Sequence, residues 1–209
     1  MSDWLHRRRA WLGDMVARCF VGGLFLLFAV NLLTDFVHTG RVTGLLLLAS
    51  ESLVAVFTVL RRQAIEVDRS PMAIAVTIIS LTGPPLLRAS TVGGLVPDLV
   101  TVSVSAVGLV IVIGGKITLG RSFGIVPANR GVVIGGPYAF VRHPIYAGYL
   151  LTHVAFVAAN PTLENIVIAM ISDVALVTRA FFEERTLAHD DRYQAYCQRV
   201  AWHLVPGLF

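Results

Sequence analysis

Six apolar segments constrain the fold of this chain more than any other feature. They cover residues 15–33, 43–60, 71–87, 97–119, 145–159 and 163–182. Most approach the ~20 residues that a helix needs to cross the hydrocarbon core of a bilayer. The composition agrees, with 56% hydrophobic and 14% charged residues and a mean hydropathy of +0.73. We therefore predict an all-α, polytopic transmembrane helical bundle with about five or six membrane helices.

The last two apolar segments predict a C-terminal helical hairpin. The fifth segment is short for a full crossing and ends at Asn160-Pro161. Residues 145–182 therefore form either a hairpin that crosses the bilayer or a re-entrant pair buried in protein. The length favours one compact membrane domain over residues 1–209 rather than two substantial domains, with residues 1–118 as its N-terminal transmembrane part.

The positions of the basic residues predict the orientation in the membrane. Most of the 17 lysines and arginines lie in connections on one side if the N-terminus is inside. This positive-inside pattern places both termini and the long 120–144 connection in the cytoplasm; for a bacterial chain, the membrane would be the cell membrane. The net charge of +4 reflects this topology, so we expect no nucleic-acid partner. Cys197 falls on the reducing side, and no metal-ligand spacing is present, so we expect neither a disulfide nor a metal.

The stretch GGPYAFVRHPIYAGYLL, residues 135–151, interrupts the apolar pattern. Arg142 either snorkels to lipid phosphate at a cytoplasmic helix start or has a functional role. Pro144 suits the first turn of a helix, so His143 precedes a positive helix end whose free amides suit a carboxylate or phosphate. Gly148 lets a ligand or another helix approach closely.

Two acids in sequence follow the last apolar segment. Glu183 and Glu184 oppose the helix macrodipole at a C-terminus, so either water solvates them or one of them binds a cation. The predicted hairpin brings them back beside the start of the fifth segment. We expect a mixed-charge, aromatic-lined pocket at the cytoplasmic interface, where the two acids face Arg142, His143 and Tyr146.

Two further acids lie inside apolar segments. Intramembrane acids such as Glu51 and Asp173 are functional candidates by default. We favour the alternative of helix–helix hydrogen bonds, with partners among Ser50, Ser52, Thr58 and Ser172. The sequence contains no Walker loop, Rossmann fingerprint or Ser-His-Asp order.

The C-terminal part of the chain, about residues 115–209, resembles the isoprenylcysteine carboxyl methyltransferase family of integral-membrane methyltransferases, which is related to phospholipid N-methyltransferases. The motifs are LGRSFG (119–124), GPYAFVRHPIYAGYLL (136–151), EERTL (183–187), YQAY (193–196) and LVPGL (204–208). The sequence departs from the family at Asp190-Asp191, where relatives commonly have Phe-Gly.

The resemblance implies S-adenosylmethionine as methyl donor, bound in a cytoplasm-facing pocket formed by residues 119–209. By position, the helix-start cofactor motif matches His143, Tyr146, Gly148 and Leu151. The acidic pair of the family matches Glu183 and Glu184.

The chemistry of the donor agrees with these residue types. Its ammonium would pair with Glu183 or Glu184, and its carboxylate with His143 and the helix-start amides. Its sulfonium or adenine would meet an aromatic ring, from Tyr138, Phe140 or Tyr146. Arg142 would orient an acceptor carboxylate, whereas an amine acceptor would require an acid such as Glu184, or His143, as base.

We therefore expect a membrane methyltransferase acting on a lipid-like acceptor among membrane lipids. A prenylcysteine-like carboxylate is the first expectation, and a phospholipid or other amine lipid is the alternative. A more distant alternative is a lipid reductase or isomerase, which would need a nicotinamide site. A non-enzymatic transporter or scaffold would need a polar path across the bilayer. The sequence does not predict the oligomeric state.

Overall fold

The computed structural model describes residues 61–208 except 89, 91 and 92, together with scattered residues between 15 and 60, which are helical. The chain divides into two compact units, Met1–Leu60 and Arg61–Phe209. The site lies in the second unit. The predictions for Glu51, and for most of segments 15–33 and 43–60, fall outside the described residues.

The described part of the second unit is mostly helical, as predicted. Its helices are α1 (Pro71–Thr82), α2 (Asp98–Leu119), α3 (Pro144–Ala159), α4 (Leu163–Leu187) and α5 (Asp191–Arg199). Short 3-10 turns cover Pro84–Leu86, Gly120–Ser122 and Gly136–Ala139. Two-residue strands β1 (Glu66–Val67) and β2 (Ala128–Asn129) pair antiparallel, a feature that the sequence did not predict. This pairing fixes the long connection after α2 against the segment before α1.

Among the described residues, two helices are long and apolar enough to cross a membrane, namely α2 with its following turn (Asp98–Ser122) and α4 (Leu163–Leu187). Pro71–Leu86 and α3 are shorter apolar helices. The long helices expose large apolar side chains, among them Val110 at 70% and Val174 at 67%. Such an exposed apolar surface suits a lipid environment better than water. These helices indicate an integral membrane protein; the span count, hairpin and orientation stay predictions.

Small residues allow two pairs of helices to pack closely. α3 packs mainly on α2, and α4 mainly on α1. A Cβ added to Gly148 would lie 2.6 Å from the carbonyl oxygen of Gly108, and one added to Gly108 would lie 2.7 Å from that of Gly148. A Cβ on Gly83 would lie 2.4 Å from the Cβ of Ser172. Helix interfaces without a water-driven hydrophobic effect commonly use small residues in this way.

In the C-terminal region, the last long apolar helix is followed by a separate short helix. α4 runs to Leu187, five residues beyond the predicted apolar segment, so Glu183 and Glu184 lie within its last turns. The helix ends at Leu187, and α5 begins at Asp191 as a separate helix. The Asp190 side chain caps α5 by accepting a hydrogen bond from the Arg192 amide at 2.9 Å. Aspartate is a favoured N-cap, so the sequence departure at Asp190-Asp191 creates a helix start.

Candidate functional site

The site is built around the start of α3. Pro144 occupies the first helical position, and His143 is the N-cap residue without a side-chain capping bond. Pro144 has no N–H to leave unpaired there. The preceding turn depends on Gly136, whose φ of +55° favours glycine and whose position lies against the Thr118 side chain. The turn at Gly136 and the helix start at Pro144 thus fix the backbone that carries the Arg142 and His143 side chains.

Glu184 is the point where three segments of the chain meet. Its Oε1 lies 2.9 Å from His143 Nε2. It also lies 2.6 Å from Nδ1 of His203, which belongs to the C-terminal tail, residues 192–208. Its Oε2 accepts a hydrogen bond from Arg142 Nη1 at 3.2 Å. The structure therefore brings together the helix start and the acidic pair, and it adds His203.

Arg142 clamps the tail against the start of α3. Its Nε donates to the Val200 carbonyl at 2.8 Å, and its Nη2 donates to the Cys197 carbonyl at 3.2 Å. Its backbone amide also donates to the Trp202 carbonyl at 2.9 Å. With the Glu184 bond, three of the five N–H donors of the guanidinium have protein partners. Only two remain for an acceptor, so a positioning role accounts for most of its contacts.

Glu183 has a separate set of partners. Its Oε1 accepts a hydrogen bond from the Tyr146 hydroxyl at 2.5 Å and lies 3.4 Å from Arg179 Nη2. Its Oε2 lies 3.9 Å from His143 Nδ1. The two ring nitrogens of His143 thus face two different carboxylates. This arrangement disfavours a third carboxylate beside His143, the role that the sequence suggested for that ring.

The predicted aromatic residues differ in how much surface they offer to a ligand. The Tyr146 ring stacks on His143 at 5.4 Å and also contacts Arg179, whose guanidinium lies 5.3 Å from the ring centre. Tyr138 is buried, and burial together with the charge of Glu183 raises the pKa of its hydroxyl. Phe140 is 70% exposed. Among the three rings, Phe140 has the most surface left for adenine.

Two predicted cofactor residues lie away from the carboxylates, further along α3. Gly148 contacts the backbone of Gly108, so its missing side chain serves helix packing. Leu151 lies beside the same contact and is 37% exposed. Their cofactor-binding role stays a prediction.

Residues 99–191 match the family model of phospholipid methyltransferases. This chain is similar to that family from α2 to the start of α5. The match covers somewhat less than half of the chain. It includes the start of α3 and both glutamates, but it leaves out His203 and the rest of the tail. A search of curated proteins found no match. The match supports a membrane methyltransferase and names the related phospholipid family rather than the isoprenylcysteine family of the sequence prediction.

Sequence reasoning missed two buried arginines beside Glu183. Arg130 and Arg179 are 9% and 5% exposed, and the Nε atom of each has no hydrogen-bond partner among the described residues. Burial lowers the pKa of Arg130 to about 10, and the positive charges of Arg61 and Arg179 act in the same direction. A Cβ on Gly124 would lie 2.0 Å from Arg130 Nη1, so a glycine there makes room for the guanidinium. The position of Arg179 within an apolar segment, four residues before Glu183, was the available signal.

Sequence reasoning also missed the partner of Asp173. His153 Nδ1 lies 2.5 Å from Asp173 Oδ1 and links α3 to α4. The predicted helix–helix hydrogen bond is present, but its partner is a histidine rather than a serine or threonine. Ser172 instead bonds the carbonyls of Ile168 and Ala169 in its own helix. A histidine among apolar residues has no sequence pattern that marks it as a partner.

Proposed function

We propose that this chain is an integral-membrane methyltransferase that transfers a methyl group from S-adenosylmethionine to a lipid-like acceptor. The observation that carries the proposal is the meeting of both glutamates with the start of α3, inside the region similar to phospholipid methyltransferases.

The charges of the site fit the methyl donor. Two carboxylates, Glu183 and Glu184, suit its ammonium. The unpartnered Nε atoms of Arg130 and Arg179 suit its carboxylate, because a buried donor left without an acceptor costs ~1–3 kcal/mol that an anionic ligand can recover. This assignment replaces His143 as the carboxylate partner. The exposed Phe140 ring suits adenine.

The residues of the chain would act by holding and orienting rather than by covalent catalysis. When bound, the donor supplies an electrophilic methyl group on its sulfonium. Glu184 is held from three sides, so its carboxylate is already oriented before a ligand arrives. Tyr146 and Arg179 hold Glu183 in the same way. Positioning of reactants can lower a barrier by about 7–11 kcal/mol.

The acceptor is the finer part of the proposal. The similarity to phospholipid methyltransferases favours an amine lipid, and the tail contacts of Arg142 leave it fewer donors for an acceptor carboxylate. An amine must lose a proton before its lone pair attacks the methyl carbon, and a site carboxylate or His143 would take that proton. A prenylcysteine-like carboxylate is the second candidate, supported by the sequence motifs and the two remaining N–H donors of Arg142.

Donor binding and product identity test this proposal. We expect the purified chain in detergent to bind S-adenosylmethionine and its demethylated product, as measured by calorimetry. The Glu184→Gln variant should bind the donor at least ~10-fold more weakly, since a charge-assisted hydrogen bond contributes about 1.5–3 kcal/mol. Incubation with labelled donor and membrane lipids, followed by mass spectrometry, distinguishes a methylated amine from a methyl ester.

Glu164→Gln is the matched control, because Glu164 is an exposed acid in the first turn of the same helix. It should leave donor affinity unchanged. Absence of donor binding by the folded protein would refute the function. Equal affinity in the Glu184 and Glu164 variants would refute the site.

A further inference from the structure

Three side chains from separate segments of the chain point ligand atoms at one another. His143, Glu184 and His203 each offer one ligand atom, and these three atoms lie within 4.8 Å of one another. The nitrogens that face Glu184 Oε1 are Nε2 of His143 and Nδ1 of His203. They come from the start of α3, the last turns of α4 and the tail. We propose that this cluster is a zinc site, which the spacing of residues in the sequence does not reveal.

The ligand set matches a known form of zinc coordination. Two imidazoles and one glutamate, with a fourth position open to water, are a common set of protein ligands for Zn²⁺. Glu184 Oε1 lies 2.9 Å from the His143 nitrogen and 2.6 Å from the His203 nitrogen. With bonds of about 2.0–2.2 Å, tetrahedral ligand atoms lie roughly 3.3–3.6 Å apart. Each of the two distances to Glu184 therefore needs to lengthen by about 1 Å or less, and the ligand atoms of the two imidazoles already lie within 4.8 Å of each other. His203 is the most exposed of the three ligands, with 27% of its side chain accessible against 16% for Glu184 and 6% for His143.

Neighbouring groups supply the outer contacts that zinc sites usually have. Arg142 holds the second oxygen of Glu184 at 3.2 Å. The other ring nitrogen of His143 lies 3.9 Å from Glu183 Oε2. Carboxylates on the far nitrogen of a zinc-bound histidine orient the ring and raise its basicity. Glu184 also borders an open depression lined by Arg185, Ala188, Tyr193, Gln194 and Cys197, which gives an ion access.

The same distances also describe a carboxylate that accepts two imidazole N–H bonds. The two arrangements differ in one respect, because zinc requires both facing nitrogens to be deprotonated and a hydrogen-bond cluster requires both to carry protons. His203→Asn separates them. An asparagine amide can donate to Glu184 from a similar position, but it is a poor zinc ligand.

Zinc and the methyl donor would share Glu184. This one consequence rests on the proposed function: zinc should compete with S-adenosylmethionine, so that rising donor concentration relieves inhibition by zinc. The zinc site itself does not depend on methyl transfer, and its test uses the protein without donor.

The test is titration of the metal-free, full-length protein in detergent with Zn²⁺ by calorimetry, with metal content measured after gel filtration. Titration with Co²⁺ adds the visible absorption that reports tetrahedral coordination. We expect one ion per chain. The His203→Asn variant should bind at least ~10-fold more weakly, because even loss of an outer-shell partner costs a zinc site 10–100-fold.

His189→Asn is the matched control. His189 pairs with Glu66 at 3.1 Å, but both side chains are largely exposed and lie outside the cluster. It should bind zinc like the wild type. Thermal unfolding and circular dichroism check that each variant is folded.

Two results would overturn the zinc site: no stoichiometric binding by the folded wild type, or equal affinity in the folded His203→Asn variant. Should His203→Asn fail to fold, His203→Gln serves the same comparison, because its longer side chain places the amide further from the backbone. Zinc binding without donor binding would refute the proposed methyltransferase function and support the zinc site. Donor binding without zinc binding would refute the zinc site and support the proposed function.

Discussion

Replacing Arg142 with lysine should loosen the C-terminal tail while leaving most of the helical packing intact. The arginine makes hydrogen bonds through three different nitrogens, to Glu184 and to the carbonyls of Val200 and Cys197. A lysine ammonium on its flexible stem can keep one of these, preferably the carboxylate. Two bonds from a charged donor are then lost.

We expect the opening free energy of the tail to fall by about 2–3 kcal/mol. A bond to a charged group contributes ~1.5–3 kcal/mol, but water can reach part of the tail, which reduces the loss. The backbone bonds to Trp202 and His203 and the Tyr196 hydroxyl bond to the Tyr138 carbonyl remain. At 1.4 kcal/mol per tenfold, amides in residues 191–205 should exchange roughly 30- to 140-fold faster.

Hydrogen exchange with mass spectrometry measures this change segment by segment. Arg199→Lys is the control, because Arg199 is exposed on the same tail helix. Its exchange should match the wild type. If Arg142→Lys leaves exchange at 191–205 unchanged while methyl transfer falls, the clamp interpretation is wrong and Arg142 acts on the acceptor, as the sequence predicted.

Two further predictions concern packing and pH. Gly148→Ala places a methyl group 2.6 Å from the Gly108 carbonyl. The overpacking should cost about 1–3 kcal/mol, seen as a lower unfolding temperature. Gly135→Ala is the control, because a Cβ there meets open space and should change nothing. Equal unfolding temperatures for the two variants would contradict the close contact between Gly148 and Gly108. The hydrogen bond from Asn129 lowers the folded pKa of Asp190, so its stabilisation is present above the ordinary pKa of about 3.9 and is lost as the pH falls through the folded pKa. Asp190→Asn keeps a capping side chain and should lose less stability than the wild type between pH 5 and pH 3, and an equal loss would refute this assignment.

Local rules were sufficient to place the start of α2 and the start of α3. Hydropathy placed α2 within a residue of its observed start, and Pro144 marked the start of α3 correctly. Both follow from properties of single segments, namely an apolar run of sufficient length and a proline that fits only the first helical turn. The prediction that Glu183 and Glu184 return to this helix start depended only on two adjacent helices joined by a short turn.

The tail and the buried arginines could not be predicted in this way. His203 reaches Glu184 because α5 ends and the chain pairs its Trp202 and His203 carbonyls with the amides before α3. Residues 200–208 form no helix or strand, so their sequence has no periodicity that predicts such a contact. Arg130 lies in a long connection, where a basic residue indicates only topology. Its burial depends on a glycine six residues earlier and on a two-residue strand pair. Both features are set by long-range contacts.

The tail contacts make the candidate site dependent on a segment outside the region similar to phospholipid methyltransferases. Glu184 keeps its two imidazole contacts only while His203 is docked. Two backbone bonds dock it, from the His143 amide to the His203 carbonyl and from the Arg142 amide to the Trp202 carbonyl. Any ligand that draws Glu184 away from His203 must therefore weaken the attachment of the tail, and any contact that stabilises the tail must hold Glu184 in place. Coupling of this kind is reciprocal. Donor binding should consequently alter hydrogen exchange in the tail, even though the residues proposed to hold the donor lie outside the tail.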